Sequence, residues 1–409
     1  MSTSARMIVA ACAAALTLAP ALVQAAAGDL DPSFDGDGKV VLAFEDFRLH
    51  DLATADDASV IVAGTSTPGT GPGRFGVARL TPAGLPDAGF AAGGLATATF
   101  STLSVSATAV ALDGDRVVVV GEGRTDGGQA RFALARFEAD GDADPTFFGV
   151  GRLWTKIDVG GRIASDHARD VAVQPDGKIV VVGSADGAHR AVVLRYLEEG
   201  GLDATFSGNG LAITSLGEGS MRAEAVVIDD AGRIVLAGSA GSDVFLARFL
   251  PNGSPDLAFG SAGRVRVDLG GRESALGLAL DARGRPVVVG RRTTNAGSSM
   301  VVARFRPAGS LDPRFDDDGW RTIRAGTVGI DVLVQDDGRL VLGGTNGRSR
   351  FLLARLSSSG AFDTSFGGDG TVTTGFACCS AKVTALAPGP DGSTTAGGPD
   401  AVVARYLAA

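Results

Sequence analysis

Three histidines and an adjacent pair of cysteines are the side chains of this 409-residue sequence best suited to chemistry: His50, His167, His189 and Cys378-Cys379. Imidazole can ligate a metal or shuttle a proton near neutral pH. His167 and His189 fall in one stretch of chain, with Asp166 and Asp170 as further oxygen donors. A metal centre calls for several ligands at defined spacing. No His-x-His or His-x-x-x-His pattern is present, so the spacing favours solvated loop histidines over ligands. The two cysteines either form a vicinal disulfide, which would stiffen their loop and present a hard apolar surface, or stay unpaired or bond another molecule. An oxidising compartment favours the disulfide. No Gly-x-Ser-x-Gly, His-Glu-x-x-His, P-loop or dinucleotide fingerprint occurs. No catalytic residue, resident metal or cofactor is therefore expected.

Carboxylates and guanidinium groups also recur in register. Asp31, Asp87, Asp144, Asp203, Asp256, Asp312 and Asp363 each open the phrase Asp-x-x-Phe-x-x-x-Gly. Arg79, Arg136, Arg195, Arg248, Arg304 and Arg355 each precede the next of these aspartates by eight residues, and Arg405 follows the last. A residue needed once for chemistry has no reason to appear in every unit. Each Asp is expected to cap its turn or pair with an Arg, and each Phe to wedge between units. The turns Asp35-Gly36-Asp37-Gly38 and Asp316-Asp317-Asp318-Gly319 resemble calcium loops. Other units carry Ala91-Ala92-Gly93 or Ser261-Ala262 there, so the acids are not a repeated ligand set. Turn solvation is the favoured reading, with weak calcium binding left open.

The elements that must position these residues follow from the repeat. Its mean period is about 55 residues, in the range of propellers, solenoids and arrays. One unit reads as four short strands: Gly151–Lys156, then two strands within Ala168–Gly183 joined at Asp176-Gly177, then Arg190–Tyr196. Asp-Gly is a hairpin signal because Gly tolerates positive φ. Runs such as Val117–Val120, Ile179–Val182 and Val287–Val289 are apolar throughout, as befits strands buried on both faces. That pattern predicts an all-β fold, a seven-bladed propeller of four-stranded antiparallel blades, in preference to a solenoid. Trp154 and Trp320 fall in outer strands as packing residues.

The phrase Gly-x-Leu-Asp-x-x-Phe-Gly-x-x-Gly, the stretch Gln-Pro-Asp-Gly-Lys-Ile-Val-Val-Val-Gly and the closing Ala-Arg-Phe resemble the delta-60 repeat family of bacterial β-propeller-type repeats. The resemblance covers about residues 28–407, with units starting near 28, 84, 141, 200, 253, 309 and 360. It implies a fold and no activity.

The sequence starts its repeats on a first-written strand, Lys39–Phe44, and stops after Ala401–Leu407. If that first strand completes the last blade, the ring closes and no sheet edge is left exposed. Call the strands of a blade a to d from the axis outward. The a–b and c–d connections then share one face, and their spacings are uniform. The b–c and d–a connections share the other. There the interval from the strand-b Gly to the strand-c Arg runs from 15 residues (Gly64 to Arg79) down to 7 (Gly398 to Arg405). Variable loops on a rigid scaffold are where binding is usually placed, and the histidines and cysteines are expected in connections on that face.

Composition narrows the class of partner. The net charge is −9, which disfavours a nucleic-acid backbone. Residues 1–25 read as a signal peptide: Arg6, an apolar Met7–Leu18 and a small-residue cleavage site at Val23-Gln24-Ala25. Val9-Ala10-Ala11-Cys12 resembles a lipobox, but the apolar stretch before Cys12 is too short. Residues 26–409 then form one propeller, and no later segment suits a transmembrane helix. The expected protein is exported, periplasmic or extracellular in a bacterium. It is expected to be a non-catalytic binding scaffold for a protein, glycan or envelope component. The alternative is a propeller enzyme, a metal-assisted hydrolase or lyase with its site at the central channel. The strand-a starts read at Leu52-Ala-Thr, Ala107-Thr-Ala, Ala168-Arg-Asp, Ala223-Glu-Ala and Lys382-Val-Thr are mostly small residues, which weighs against a ring of ligands.

Overall fold

A computed structural model describes residues 25–408 apart from 92, 101–103, 125–127, 158–164, 186–189, 217–219, 348–349 and 380. His189 and all but the last residue of the expected signal peptide, Cys12 included, lie outside the described residues. Seven antiparallel sheets of four strands each make the fold. Blade 3 is typical: a Asp166–Val173, b Ile179–Ala185, c Arg190–Tyr196 and d Leu211–Thr214. Its apolar strand b is fully buried because both sheet faces are covered by neighbouring blades. The core accordingly lies in interblade layers. Val118, Phe132 and Phe147 of blade 2, for example, pack with Ala168, Val181 and Leu194 of blade 3.

The ring closes by one strand from the start of the chain and three from its end. Lys39–Val41 pairs antiparallel with Val402–Tyr406, which pairs with Thr394–Gly398 and then Ala385–Pro388. The predicted seven-bladed propeller and its closure are both present. One local expectation differs. The a–b turn at Asp176-Gly177 is a three-residue loop: the Gln174 N–H donates to Lys178 O and the Gly177 N–H to Gln174 O. Gly177 sits at φ 76°, the left-handed position of a type I turn with a bulge.

The repeated phrase stitches each blade to the next. In blade 3, Asp203 Oδ1 accepts the Thr205 N–H at 2.9 Å, closing the turn, and Oδ2 accepts Arg195 Nε at 2.9 Å. Arg195 also stacks 4.6 Å from the Phe206 ring and donates to Pro251 O of blade 4. The Ser207 N–H donates to Asn252 O of blade 4 at 2.8 Å. Phe206, fully buried, lies under Gly253 of blade 4. Gly253 has φ 84°, and a Cβ there would stand 3.0 Å from that ring, so Gly is required on both counts. The Asp–Arg pair and the backbone bond to the next blade recur around the ring. At the closure Arg405 Nε lies 2.9 Å from Asp31 Oδ2, the Asp35 N–H donates to Ala83 O, and Phe34 lies under Gly84. Burial alone would raise the Asp203 carboxyl; the Thr205 and Arg195 donors outweigh it and hold the group below the usual range.

Candidate functional site

With the repeated Asp and Arg engaged at the a–b/c–d face, the unrepeated polar residues converge on the innermost strands. These are Phe47–Thr54, Val105–Asp113, Asp166–Val173, Met221–Ile228, Arg272–Leu280, Val328–Val334 and Ala385–Pro388. Pairing with strand b slips by one residue in six of them, at His50, Thr108, Arg169, Glu224, Leu276 and Ile330. Such a bulge re-aims side chains that would otherwise be buried between blades. It also explains the strand-b glycines: a Cβ on Gly183 would stand 1.9 Å from His167 O, and one on Gly238 1.9 Å from Arg222 O. His50 and His167 were expected in connections. They instead lie within strands Phe47–Thr54 and Asp166–Val173, because the bulge lets strand a begin with polar residues.

His167 is the centre of a charged network across three blades. Its Nδ1 lies in hydrogen-bond contact with Glu122 Oε2 of blade 2. Glu122 in turn lies 4.0 Å from Arg124 Nη2. On the other side, the Arg169 Nε stands 3.7 Å from Glu224 Oε2 of blade 4. Burial raises the Glu224 carboxyl, opposed by the charges of Arg169, Arg222 and His167. Two carboxyls, an imidazole and three guanidinium groups at one place can bind a polar ligand or exchange a proton with it. Asp170 accepts the Val171 and Val226 N–H groups. Asp166 is buried and accepts the Ile157 N–H at 3.0 Å, holding the d–a connection.

Three further acids, Asp51, Asp170 and Asp331, follow the bulges of blades 1, 3 and 6. Each accepts two backbone N–H groups: its own next residue, and the next blade's inner strand at Val110, Val226 and Leu386, 2.7–2.8 Å away. All three are half-buried, and burial raises their carboxyls. Asp170 rises to about 7 and Asp331 to about 6. Asp51 lies well above its usual value, through burial and then the charges of Asp170 and Asp331. Beside Asp51, burial and the Arg48 charge lower the His50 imidazole to about 4. Asp51 and Asp331 were missed by the sequence reading. Their signal is Leu49-His-Asp and Gly329-Ile-Asp, which the bulge displaces from the start expected at Leu52.

Cys378 and Cys379 are joined by a disulfide. Cys379 packs on the core between blades 6 and 7, near Phe376, whose ring meets Phe351 edge-on at 5.1 Å. Cys378 is exposed. The acidic turns at Asp35–Gly38 and Asp316–Gly319 lie among the repeated contacts of the opposite face: Asp37 accepts the Lys39 N–H, and Arg321 stands 3.2 Å from Asp316. A trio of acids stands elsewhere. Asp243, Asp268 and Glu273 bring carboxylate oxygens within 4.8 Å on the b–c/d–a face. Arg266 lies 2.6 Å from Asp243 and Arg292 3.8 Å from Glu273, which supplies much of the compensating charge a cation would bring.

Six stretches of the chain, 57–90, 115–147, 174–206, 232–259, 284–315 and 335–366, match a family described as "Domain of unknown function (DUF5122) beta-propeller". No curated protein matches the sequence. Among solved structures, a catalytically inactive virginiamycin B lyase from Staphylococcus aureus with quinupristin is similar, with a TM-score of 0.56 at 9% identity, covering 90% of this chain and 98% of that one. Chaetomium thermophilum Sqt1 gives 0.52 at 13% identity, covering 94% and 98%. YCF48 bound to D1 peptide gives 0.51 at 13% identity, covering 90% and 94%. At such identities these likenesses show the fold alone. With seven blades in its ring and six matches along its length, the chain is a β-propeller-repeat protein.

Proposed function

We propose that this protein is an exported, non-catalytic binding scaffold of the delta-60 repeat type. It takes its ligand at the channel mouth on the face built from b–c and d–a connections. The observation that carries this reading is the convergence of unrepeated charged residues from three blades, Glu122, His167, Arg169 and Glu224, in a fold whose repeated charges are engaged at the opposite end. Exposed Arg48 and Arg222 stand at the corresponding strand starts of blades 1 and 4, and exposed Lys382 lies three residues before Ala385–Pro388 of blade 7. The exposed disulfide loop at Cys378-Cys379 borders the same face. A protein, glycan or envelope component with both acidic and basic groups suits this mixed surface. The test is capture from an envelope fraction by wild type and by the Glu122→Gln/Glu224→Gln variant. A partner retained by wild type and lost by the variant supports the reading; one retained equally by both overturns this location.

The enzyme alternative draws on one observation, the contact between His167 and Glu122, which is the arrangement a general base and its orienting carboxylate would adopt. A metal-assisted hydrolase or lyase would additionally carry one tightly bound metal equivalent. Metal analysis of purified protein decides: one equivalent, lost in His167→Ala, favours the enzyme, and none favours the scaffold.

A further inference from the structure

The uniform a–b/c–d face breaks its own pattern at one blade. Arg283 is the middle residue of blade 5's a–b turn between the paired Asp281 and Arg285, where other blades carry Asp57, Asp176, Ala231, Asp337 and Asp391. Arg306 opens the c–d connection, where Thr81, Glu138, Leu197, Leu250 and Ser357 stand elsewhere. Arg314 lies two residues after the motif Asp312, a position otherwise held by Ser33, Gly89, Thr146, Thr205, Ala258 and Ser365. All three substitutions to arginine therefore fall in a single blade.

These three residues line one cavity of about 380 Å³ with Arg285, Pro307 and Asp312. The local acids are already engaged. Asp312 Oδ2 accepts Arg304 Nε at 2.9 Å and Arg285 Nη1 at 2.8 Å, and Asp281 Oδ2 accepts Arg285 Nε at 2.7 Å. Arg283, Arg306 and Arg314 are exposed, and among the described residues nothing bonds or pairs with their guanidinium groups. Two acids thus meet two arginines, and three positive charges are left over in a protein whose net charge is −9. Screening confines the opposing charges of the wider surface to about 10 Å at ordinary ionic strength, so the local excess governs what enters. An adjoining cavity of about 390 Å³ shares Arg283, Arg285 and Arg314, but Asp336 and Asp337 on its far wall make it a poorer place for an anion.

We propose that the blade 5 cavity lined by Arg283, Arg306 and Arg314 binds a phosphate-type oxyanion. A guanidinium group offers paired N–H donors that match two oxygens of such a group. A doubly charged tetrahedral anion can engage three guanidinium groups, whereas a planar monovalent carboxylate offers only two oxygens and one charge. The shared chemistry fits free phosphate and a phosphomonoester alike.

Calorimetric titration of the whole protein at about 0.1 M ionic strength tests this, with inorganic phosphate in one arm, phenyl phosphate in the second and acetate as control. Saturable one-site phosphate binding is expected. Arg306→Gln should weaken it by about tenfold, as loss of one charge-assisted contact implies, and the Arg283→Gln/Arg306→Gln/Arg314→Gln variant should abolish it. Tighter phenyl phosphate identifies a monoester as the fitted form, and tighter inorganic phosphate the free ion. Phosphate binding no tighter than acetate, or unchanged in Arg306→Gln, overturns the proposal. Both variants change only exposed side chains and should melt as wild type does. Glu122→Gln/Glu224→Gln should leave phosphate affinity unchanged, so the two sites fail or hold separately.

Discussion

An ion pair repeated around a ring does not carry the same weight at each place, and burial decides the difference. The side chains of Asp203 and Arg195 are 2% and 6% exposed, whereas Asp87 and Arg79 are 26% and 27% exposed. Removing one partner of a buried pair leaves the other charge enclosed and unpaired, at a cost of about 3–5 kcal/mol. A partly exposed pair contributes about 1 kcal/mol or less. Asp203→Ala is therefore expected to lower the urea midpoint far more than Asp87→Ala, with equal slopes in both transitions. Equal midpoints would count against the pairing as the source of stability. Backbone crowding gives a sharper contrast. Gly183→Ala places a methyl group on His167 O, while Gly201→Ala meets nothing within 4 Å. The first should unfold the inner edge of blade 3, seen as a large loss of soluble protein, and the second should be silent.

Within a blade, the bulge in strand a sets both what the site contains and what the sequence could reveal. The a–b turn, the strand-b valines and the Asp-x-x-Phe phrase obey fixed spacing, so the blade and its c–d end were legible from the residues. The bulge inserts one residue and shifts the phase of the strand. Periodicity breaks just where Asp51, Asp170 and Asp331 reach across to the next blade's inner strand, and the place of His50 within a strand is hidden with it. These acids give the fold a pH signature. Asp170 and Asp331 titrate at about 7 and about 6 in the folded chain against 3.8 unfolded. Between those values the folded state binds more protons, so their contribution is full below about pH 4 and is lost as pH rises through 7. Glu224 and Glu273, raised by burial, act in the same sense. His50, lowered from 6.5 to about 4, acts in the opposite sense, so the wild-type curve mixes the two. The difference between wild type and Asp170→Asn reads Asp170 together with the part of the Asp51 shift that its charge causes, which acts in the same sense. Relative to wild type the variant should gain stability as pH rises from 4 to 7, on top of a constant loss from the acceptor it no longer offers the Val226 N–H. A difference independent of pH would show that Asp170 is not raised.

At the scale of the whole molecule, the ring depends on a short N-terminal segment that joins its two ends three times. Lys39–Val41 covers the edge of Val402–Tyr406, Asp31 neutralises the buried Arg405, and Phe34 and Gly28 fill the layers toward blades 1 and 6. A repeat protein is stabilised by contacts between neighbouring units, and a ring has no end units to relax. Removing residues through 41 would leave blade 7 with three strands, expose a row of unpaired backbone groups at Val402–Tyr406 and strand the Arg405 charge in the interior. Exposed edges of this kind pair with other chains. The truncated protein is expected to lose its urea transition at the wild-type midpoint and to elute from size exclusion as oligomers. A synthetic peptide of residues 26–44, added in trans, should restore a monomer by supplying the missing strand, Asp31 and Phe34 together. The same peptide with Asp31→Ala should restore it less well, since it covers the edge but leaves Arg405 unpaired. A truncated chain that remains monomeric with an unchanged midpoint would mean that the three C-terminal strands close the ring unaided.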